Sequence, residues 1–327
     1  MRARKFLIAL SALALWGCDD SFNPVLNYRD DLVVFSVLST TRDTHFVRVY
    51  ATYNPPNYDP FSRSYYKPVD DAQVVLNDNN GMSLAFRDTM IQAWDTTRYG
   101  PMIRAHVIQP FVPVRGRTYT LTVTSPSIGN AFATVTVPGT AIMALTDTVM
   151  LRFPQLYSST EQIVFNVTLS SAAKGFMLRG FIDYEIAAPV PGGWLPQRIE
   201  LPRTILKAVS IDTLEATYPS IQIRTAGGEY SYERMAFGHG VYKTMLGLIW
   251  RRYEKPGFVR MQRVVFHLYQ VEPNLFNYLS VANGFRDQFS VRTDEPDFSN
   301  ISGGVGVFGA FAVDSVAFPI PTDTGYR

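Results

Sequence analysis

The sequence predicts a mainly β protein: an N-terminal β-sandwich followed by a second β-rich domain with one or two short helices. The main evidence is a series of short runs in which apolar and polar residues alternate, rich in β-branched and aromatic side chains and separated by turn residues. The chain has 327 residues, more than one domain usually contains. Hydrophobic residues make up 46% and charged residues 18%, which is typical of a folded chain with a buried core.

The first 17 residues have the layout of a signal peptide. A basic segment precedes an apolar run at 6–16. As a helix this run would extend only about 16 Å, too short to cross about 30 Å of bilayer hydrocarbon. We therefore expect residues 1–17 to direct export and not to span a membrane.

The apolar run ends in Leu-Trp-Gly-Cys, which resembles the lipobox of bacterial lipoproteins, although Trp16 replaces the small residue usual there. The resemblance implies that Cys18 becomes the first residue, carries acyl chains such as palmitate, and is followed by a tether at 18–30. The alternative is an ordinary signal peptide with Cys18 as a bystander thiol. Two aspartates follow the cysteine, and such residues resemble an inner-membrane retention signal in some bacteria and a surface-export signal in others, so the sequence alone does not choose between these locations.

Charge and cysteine content exclude some classes of function. The chain has 30 Lys and Arg against 28 Asp and Glu, and loss of the three basic residues of the signal peptide would leave the acids one ahead. Such a balance gives no field for gathering a nucleic-acid backbone, so we expect no nucleic-acid partner. A single cysteine allows no intramolecular disulfide and no cysteine-rich zinc site.

The segment 31–138 is predicted to be the sandwich. Asn79-Asn80-Gly81 supplies residues that tolerate positive φ, and the alternating run before it predicts one arm of a tight hairpin. The overall pattern resembles the immunoglobulin-like or transthyretin-like modules of secreted bacterial proteins. The predicted strands cover 32–38, 45–52, 72–77, 82–88, 102–109, 118–125 and 131–137.

A Pro-Gly-Thr break at 138–140 suggests a boundary, so the second β-rich domain is predicted at 139–327. Apolar residues spaced by three or four predict a helix at 241–252. A second helix is predicted at 273–283, where the proline stands at the first position. Predicted strands cover 144–153, 162–170, 178–186, 198–206, 229–237 and 259–269.

Near the C-terminus, glycines alternate with apolar residues in Ser-Asn-Ile-Ser-Gly-Gly-Val-Gly-Val-Phe-Gly at 299–309. Together with the lipobox, the early Leu-Val-Val strand and the Pro-Val-x-x-Ala-x-Val hairpin, this order of motifs resembles an uncharacterised Bacteroidetes-type outer-membrane lipoprotein family. Its members carry a domain of unknown function and often accompany TonB-dependent receptors. The resemblance runs from about residue 31 to 311, and it implies a location and an architecture but no catalytic residue.

No motif for catalysis, a metal or a cofactor stands out. The glycines at 303–309 lack the Lys-Ser or Lys-Thr of a phosphate-binding loop, so a closely packed strand is expected there. A serine hydrolase is disfavoured because the sequence has no Gly-x-Ser-x-Gly elbow. The histidines are far apart and have no second ligand at a metal-binding spacing: His45, His106, His239 and His267.

The candidate contact surface is the loop 53–66, which combines five aromatic residues with three prolines and an arginine. Stiff aromatic side chains lose little entropy on binding and are common in recognition sites. The alternative is that these rings fold back onto the end of the sandwich. The predicted contact residues are Tyr53, Tyr58, Phe61, Tyr65 and Tyr66.

These observations lead us to expect a lipid-anchored, non-enzymatic lipoprotein of the outer membrane. It would act as a binding or accessory module for a partner such as a TonB-dependent receptor. The alternative functions are a surface hydrolase whose dispersed Ser, His and Asp meet only in the fold, a glycan-binding protein, or a purely structural envelope protein.

Overall fold

A computed structural model describes residues 29–52, 67–92, 101–188, 192–224, 232–253, 258–283 and 298–321. The protein is mainly β, as predicted. Strands in the first half of the chain are β1 (Leu32–Ser39), β2 (His45–Ala51), β3 (Gln73–Asp78), β4 (Ser83–Ala85), β5 (Arg87–Gln92), β6 (Met102–Ile108), β7 (Thr118–Ser125) and β8 (Gly129–Thr136).

The second half of the described chain contains further strands and three α-helices. Its strands are β9 (Ile142–Leu145), β10 (Gln162–Thr168), β11 (Gly175–Ala187), β12 (Trp194–Leu201), β13 (Thr204–Ala208), β14 (Leu214–Thr217), β15 (Gln222–Ile223), β16 (Tyr232–Gly238), β17 (Val259–Val271) and β18 (Gly304–Pro319). Its helices are α1 (Val149–Arg152), α2 (His239–Arg252) and α3 (Pro273–Asn283), and a 3-10 turn covers Pro154–Leu156.

A nine-stranded sheet joins the two halves of the chain. Its order is β12-β11-β17-β18-β1-β2-β6-β5, and β15 pairs with β11. The long strand β18 lies at the centre: its first half runs parallel to β1, and its second half runs antiparallel to β17. Because β18 has 16 residues, it extends for about 50 Å through the molecule.

Two hydrophobic cores lie on the same face of this sheet. The first lies between the β1 half and a four-stranded sheet, β4-β3-β7-β8. The second lies between the β17 half, helix α2 and a three-stranded sheet, β16-β10-β9. Even-numbered residues of β18 contact both cores: Phe308 and Ala310 the first, Val316 and Phe318 the second.

The predicted domains 31–138 and 139–327 therefore share one sheet. The first core extends only to Val137 before the chain returns to it at Ile301, and the second begins at Ala141. Residues 301–310 lie within the predicted second domain but pack into the first core. The start of β18 pairs in parallel with β1, and β1 lies in the predicted first domain. This pairing places the start of β18 against the first core.

The glycine-rich segment is a closely packed strand, as expected. A Cβ on Gly304 would lie 2.4 Å from the carbonyl oxygen of Leu32, and a Cβ on Gly306 would lie 2.1 Å from that of Val34. Gly306 also has a φ of +122°, which side-chain-bearing residues rarely adopt. These glycines allow the backbones of β18 and β1 to approach each other.

A buried polar cluster fixes the junction between the cores. The side chain of Gln270 is fully buried, accepts a hydrogen bond from the amide of Ser170 at 2.8 Å and donates one to the carbonyl of Gly139 at 2.9 Å. It also donates to Asp314 at 3.1 Å, and Asp314 pairs with Arg115 at 3.1 Å. Gly139 of the Pro-Gly-Thr break is held by side chains from three parts of the chain, Arg115, Ser170 and Gln270.

Helix α3 begins where the sequence predicts. Its first residue is a proline, which needs no amide donor there, and the carboxylate of Glu272 accepts the amides of Asn274 at 2.7 Å and Leu275 at 2.6 Å. Burial raises the pKa of Glu272. The helix packs against the face of the large sheet opposite the two cores, where Leu275 approaches Gly309.

Where the structure describes them, the predicted elements agree with it except at three places; residues 229–231 of the strand predicted at 229–237 lie outside the described residues. The strand predicted at 144–153 is wrong beyond Leu145, because β9 ends there and the chain enters α1 at Val149. The run predicted at 82–88 is two strands in different sheets, divided at Phe86, whose side chain enters the first core. The run at 198–206 is likewise divided between β12 and β13.

Within the described ranges, no helix is both long and apolar enough to cross a membrane.

Candidate functional site: an arginine–aromatic sheet face

An ordered polar surface lies on the second half of the large sheet, on the side away from the second core. Leu178 and Ile182 of β11 belong to that core, so the alternate residues Arg179, Phe181 and Asp183 project from the opposite face. The pairing of β11 with β12 and β17 places other charged and aromatic residues beside them. We call this surface the arginine–aromatic face: Arg179, Phe181, Asp183, Glu185, Trp194, Arg198, Glu200, Arg260, Arg263, His267, Tyr269 and Ser315.

Asp183 holds two arginines from the neighbouring strands. Arg198 of β12 donates from Nε to Oδ1 at 2.6 Å and from Nη2 to Oδ2 at 3.0 Å, and Arg263 of β17 donates from Nε to Oδ2 at 2.9 Å. Burial disfavours the charge of Asp183, but the hydrogen bonds from both arginines outweigh it and keep the carboxyl pKa below its ordinary value. The side chain of Asp183 is 15% exposed, against 47% for Arg198 and 55% for Arg263.

A second pair lies further along the sheet. Arg179 donates to Glu200 through Nε at 2.7 Å and through Nη2 at 2.5 Å. This bidentate hydrogen bonding, together with the charge of Glu200, raises the pKa of Arg179. Asp183 lies directly opposite Arg198, and Arg179 is a diagonal neighbour of Glu200. The register of β11 and β12 therefore decides which of these charges meet.

Aromatic rings separate these charges. The guanidinium groups of Arg179 and Arg198 lie 5.1 and 5.4 Å from the centre of the Phe181 ring. The ring of His267 lies 5.3 Å from that of Phe181. At the edge of the face, the Arg260 guanidinium is stacked 3.7 Å over the ring of Trp194. Cation–π contacts of this kind restrict the arginines to defined positions.

The face contains a depression of about 620 Å³. Asp183 and Glu185 contribute carboxylates to it, and Oε2 of Glu185 accepts a hydrogen bond from the side-chain Nε2 of Gln262 at 2.7 Å. Arg198 and Arg263 stand at its wall. The remaining lining residues are Tyr184, Pro196, Gln197, Ala317 and Pro319.

One contact on this face has the form of a catalytic pair. Nδ1 of His267 and Oγ of Ser315 lie 2.6 Å apart. Burial, followed by the charge of Arg198, lowers the pKa of His267. In the part of the chain that the structure describes, Asp183 bonds to arginines and not to His267. The arrangement therefore lacks the carboxylate that orients the histidine in a Ser-His-Asp triad.

Two of the four histidines lie buried beside backbone carbonyl groups. His239 is buried between the carbonyl groups of Ser158 and Met150, at 3.1 and 3.3 Å. His45 is buried in the first half of the molecule, with Nε2 3.1 Å from the carbonyl oxygen of Arg42. Across the described segments, no three His, Cys, Asp or Glu residues are grouped as metal ligands.

The predicted contact residues and the predicted lipid site lie outside the described residues: Tyr53, Tyr58, Phe61, Tyr65, Tyr66 and Cys18. The ends of the loop that carries these tyrosines are described. Thr52 accepts a hydrogen bond from the amide of Asp31 at 2.8 Å, and Lys67 forms an ion pair with Asp30. The loop therefore leaves the sandwich beside the start of β1.

Sequence reasoning missed the arginine–aromatic face. Asp183 and Arg198 are 15 residues apart, and Asp183 and Arg263 are 80 apart. The only local signal is that charged residues occupy alternate positions in β11, as in Arg179, Asp183 and Glu185. Such alternation predicts a solvent-facing side, but it does not reveal which strands bring their charges together.

The model of the family described as Domain of unknown function (DUF4249) matches residues 19–316. A search of curated proteins finds no match.

Proposed function

The chain belongs to the DUF4249 family, and we propose that it is a lipid-anchored, non-enzymatic binding module of the outer membrane that supports a partner such as a TonB-dependent receptor. The observation that carries the proposal is the arginine–aromatic face. It is an open sheet surface whose arginines are held in place by carboxylates and aromatic rings. Ordered arginine and aromatic side chains are enriched in recognition sites because their binding costs little additional entropy.

The position of the chain start supports an anchored module. Arg29 donates from Nη2 to the carbonyl of Ile128 at 3.2 Å, at the turn between β7 and β8. From Cys18 to Arg29 the chain reaches at most about 38 Å. The start of β18 pairs with the start of β1, whereas its last residue pairs with Arg263 of the arginine–aromatic face, about 50 Å along the strand.

An anchor at Cys18 would keep the β7–β8 turn within about 38 Å of the membrane, and we expect the arginine–aromatic face to lie further away. Lipidation would use the only natural cysteine, so a cysteine introduced elsewhere can be labelled selectively. We would attach a fluorophore at Ser127→Cys or at Gln197→Cys and add vesicles containing a lipid-bound quencher. Stronger quenching at 127 is expected. Equal quenching at both positions would contradict the orientation, and Cys18→Ser should abolish vesicle association.

The partner is tested by affinity isolation of the tagged chain from gently solubilised envelopes. We compare the native chain with an Arg198→Ala/Arg263→Ala variant and with a loop variant in which Tyr58, Phe61 and Tyr65 are alanine, together with Tyr66. The matched control is Arg252→Ala, which removes an exposed arginine paired with Asp212 away from the face. Recovery of a receptor by the native and control chains, but not by the face variant, is expected.

Loss of the receptor only in the loop variant would move the contact to the loop. Recovery of no specific partner by the native chain would refute the accessory role. In either case, circular dichroism of each variant establishes whether the fold is intact.

A surface hydrolase is the second candidate function, and the contact between His267 and Ser315 favours it. The test is hydrolysis of a panel of fluorogenic esters by the purified chain, compared with Ser315→Ala. Activity that disappears in this variant would establish the hydrolase. Equal background rates in both chains would refute the hydrolase and favour the binding module.

A further inference from the structure

From the geometry of the depression we infer that it binds an oxyanion, a carboxylate or phosphate group of a ligand, between the guanidinium groups of Arg198 and Arg263. The inference rests on the proposed function, since it names the ligand chemistry of the same face. Both side chains line the depression and come from strands on either side of β11.

Unused hydrogen-bond donors are the first argument. A guanidinium group has five N–H donors in a planar fork that matches a carboxylate or a phosphate. Arg198 uses two of these on Asp183, and Arg263 uses one. Among the described residues no further acceptor bonds to either guanidinium group, so donors of both remain for a ligand.

The depth of the charges is the second argument. Asp183 is 15% exposed and lies beneath Arg198 and Arg263, which are 47% and 55% exposed. Arg260 adds a third exposed cation over Trp194. Arg198 and Arg263 therefore reach further into solvent than Asp183, although the depression also contains the carboxylate of Glu185.

The occupied oxygens of Asp183 are the third argument. Oδ1 accepts one hydrogen bond and Oδ2 accepts two, all from arginine. A cationic ligand would have to displace a guanidinium group to reach them. In the second carboxylate, Glu185, Oε2 accepts a hydrogen bond from the side-chain amide of Gln262. An anion needs no such displacement.

The role of Asp183 gives the inference a distinctive signature. Its carboxylate positions the two arginines but also competes with a bound anion for their charge. Asp183→Asn keeps the shape and the oxygen acceptor while removing the negative charge. Anion affinity should therefore rise in this variant, whereas a purely structural role would give no gain in binding.

The experiment is calorimetric titration of the full mature chain in detergent at constant ionic strength. The probes are inorganic phosphate in one arm and succinate in the other. Saturable binding of at least one probe is expected, and the tighter probe identifies the group that the site prefers. Arg263→Gln should weaken binding about tenfold or more, because it removes charge-assisted hydrogen bonds. Asp183→Asn should strengthen binding several-fold, and Arg252→Gln should leave it unchanged.

Absence of saturable binding for both anions would overturn the inference, as would equal affinity of the native chain and Arg263→Gln. Weaker binding by a folded Asp183→Asn variant would overturn it as well. Receptor isolation is scored separately. A receptor recovered without any anion binding refutes only the ligand chemistry, whereas anion binding without a receptor refutes only the accessory role.

Discussion

The change Gly306→Ala tests whether the close approach of β18 and β1 holds the two halves of the molecule together. A Cβ at this position would lie 2.1 Å from the carbonyl oxygen of Val34, about 1 Å shorter than the shortest contacts that Cβ atoms make in proteins. The φ of +122° adds backbone strain for any residue with a side chain. Strain of about 1–2 kcal/mol and overpacking of about 1–3 kcal/mol predict a loss of about 2–5 kcal/mol in the free energy of unfolding.

The measurement is urea denaturation of the mature chain, followed by circular dichroism. With an m value of about 3 kcal/mol/M, the loss lowers the midpoint by about 1 M. The matched control is Gly247→Ala in the interior of α2, where nothing lies within 4 Å of an added Cβ. Alanine is favoured over glycine in a helix, so this variant should gain about 0.5–1 kcal/mol. Stability of Gly306→Ala within about 0.5 kcal/mol of the native chain would refute the reasoning.

The other predictions concern burial. Gln270→Leu should cost about 1–3 kcal/mol, because it leaves the buried amide of Ser170 without its acceptor and leaves the carbonyl of Gly139 with Arg115 as its remaining donor, and an unchanged urea midpoint would contradict this. Phe266→Ala should cost about 3–5 kcal/mol, since the fully buried ring contacts three other aromatic rings; a loss below about 1 kcal/mol would show that the site collapses. Burial lowers the pKa of His45 below 6.5, so the unfolded chain binds a proton that the folded chain does not, and stability falls as pH drops below 6.5. His45→Gln should reduce this fall in urea midpoints measured between pH 7 and 5, and an identical pH dependence would argue against the histidine.

Much of the local structure follows from the sequence. The hairpin turn predicted at 79–81 is confirmed, because Asp78 accepts the amides of Asn80 at 2.9 Å and Met82 at 2.7 Å and Gly81 has a φ of +91°. Helix α3 has the predicted bounds, and α2 begins two residues earlier than predicted. These features depend on residues close together in the chain, which is why local patterns reveal them.

The candidate site could not be read in the same way. Alternation within β11 separates the core-facing residues from the others, but it does not say whether the others meet solvent, a helix or another strand's charges. Arg198 and Arg263 reach Asp183 only because β12 and β17 flank β11 in a particular register. Nothing in the local pattern around Asp183 specifies that register.

The sequence by itself determined the strand-rich composition, the hairpin turn at 79–81, the bounds of α3 and the tight packing of the segment 303–309. Only the tertiary structure decided that β18 pairs with β1, more than 260 residues away, and that one sheet serves both cores. The physical reason is that a sheet pairs segments that lie far apart in the chain. Which segments pair depends on how their side chains pack over the whole molecule. Local periodicity describes one strand at a time and carries no information about its neighbours.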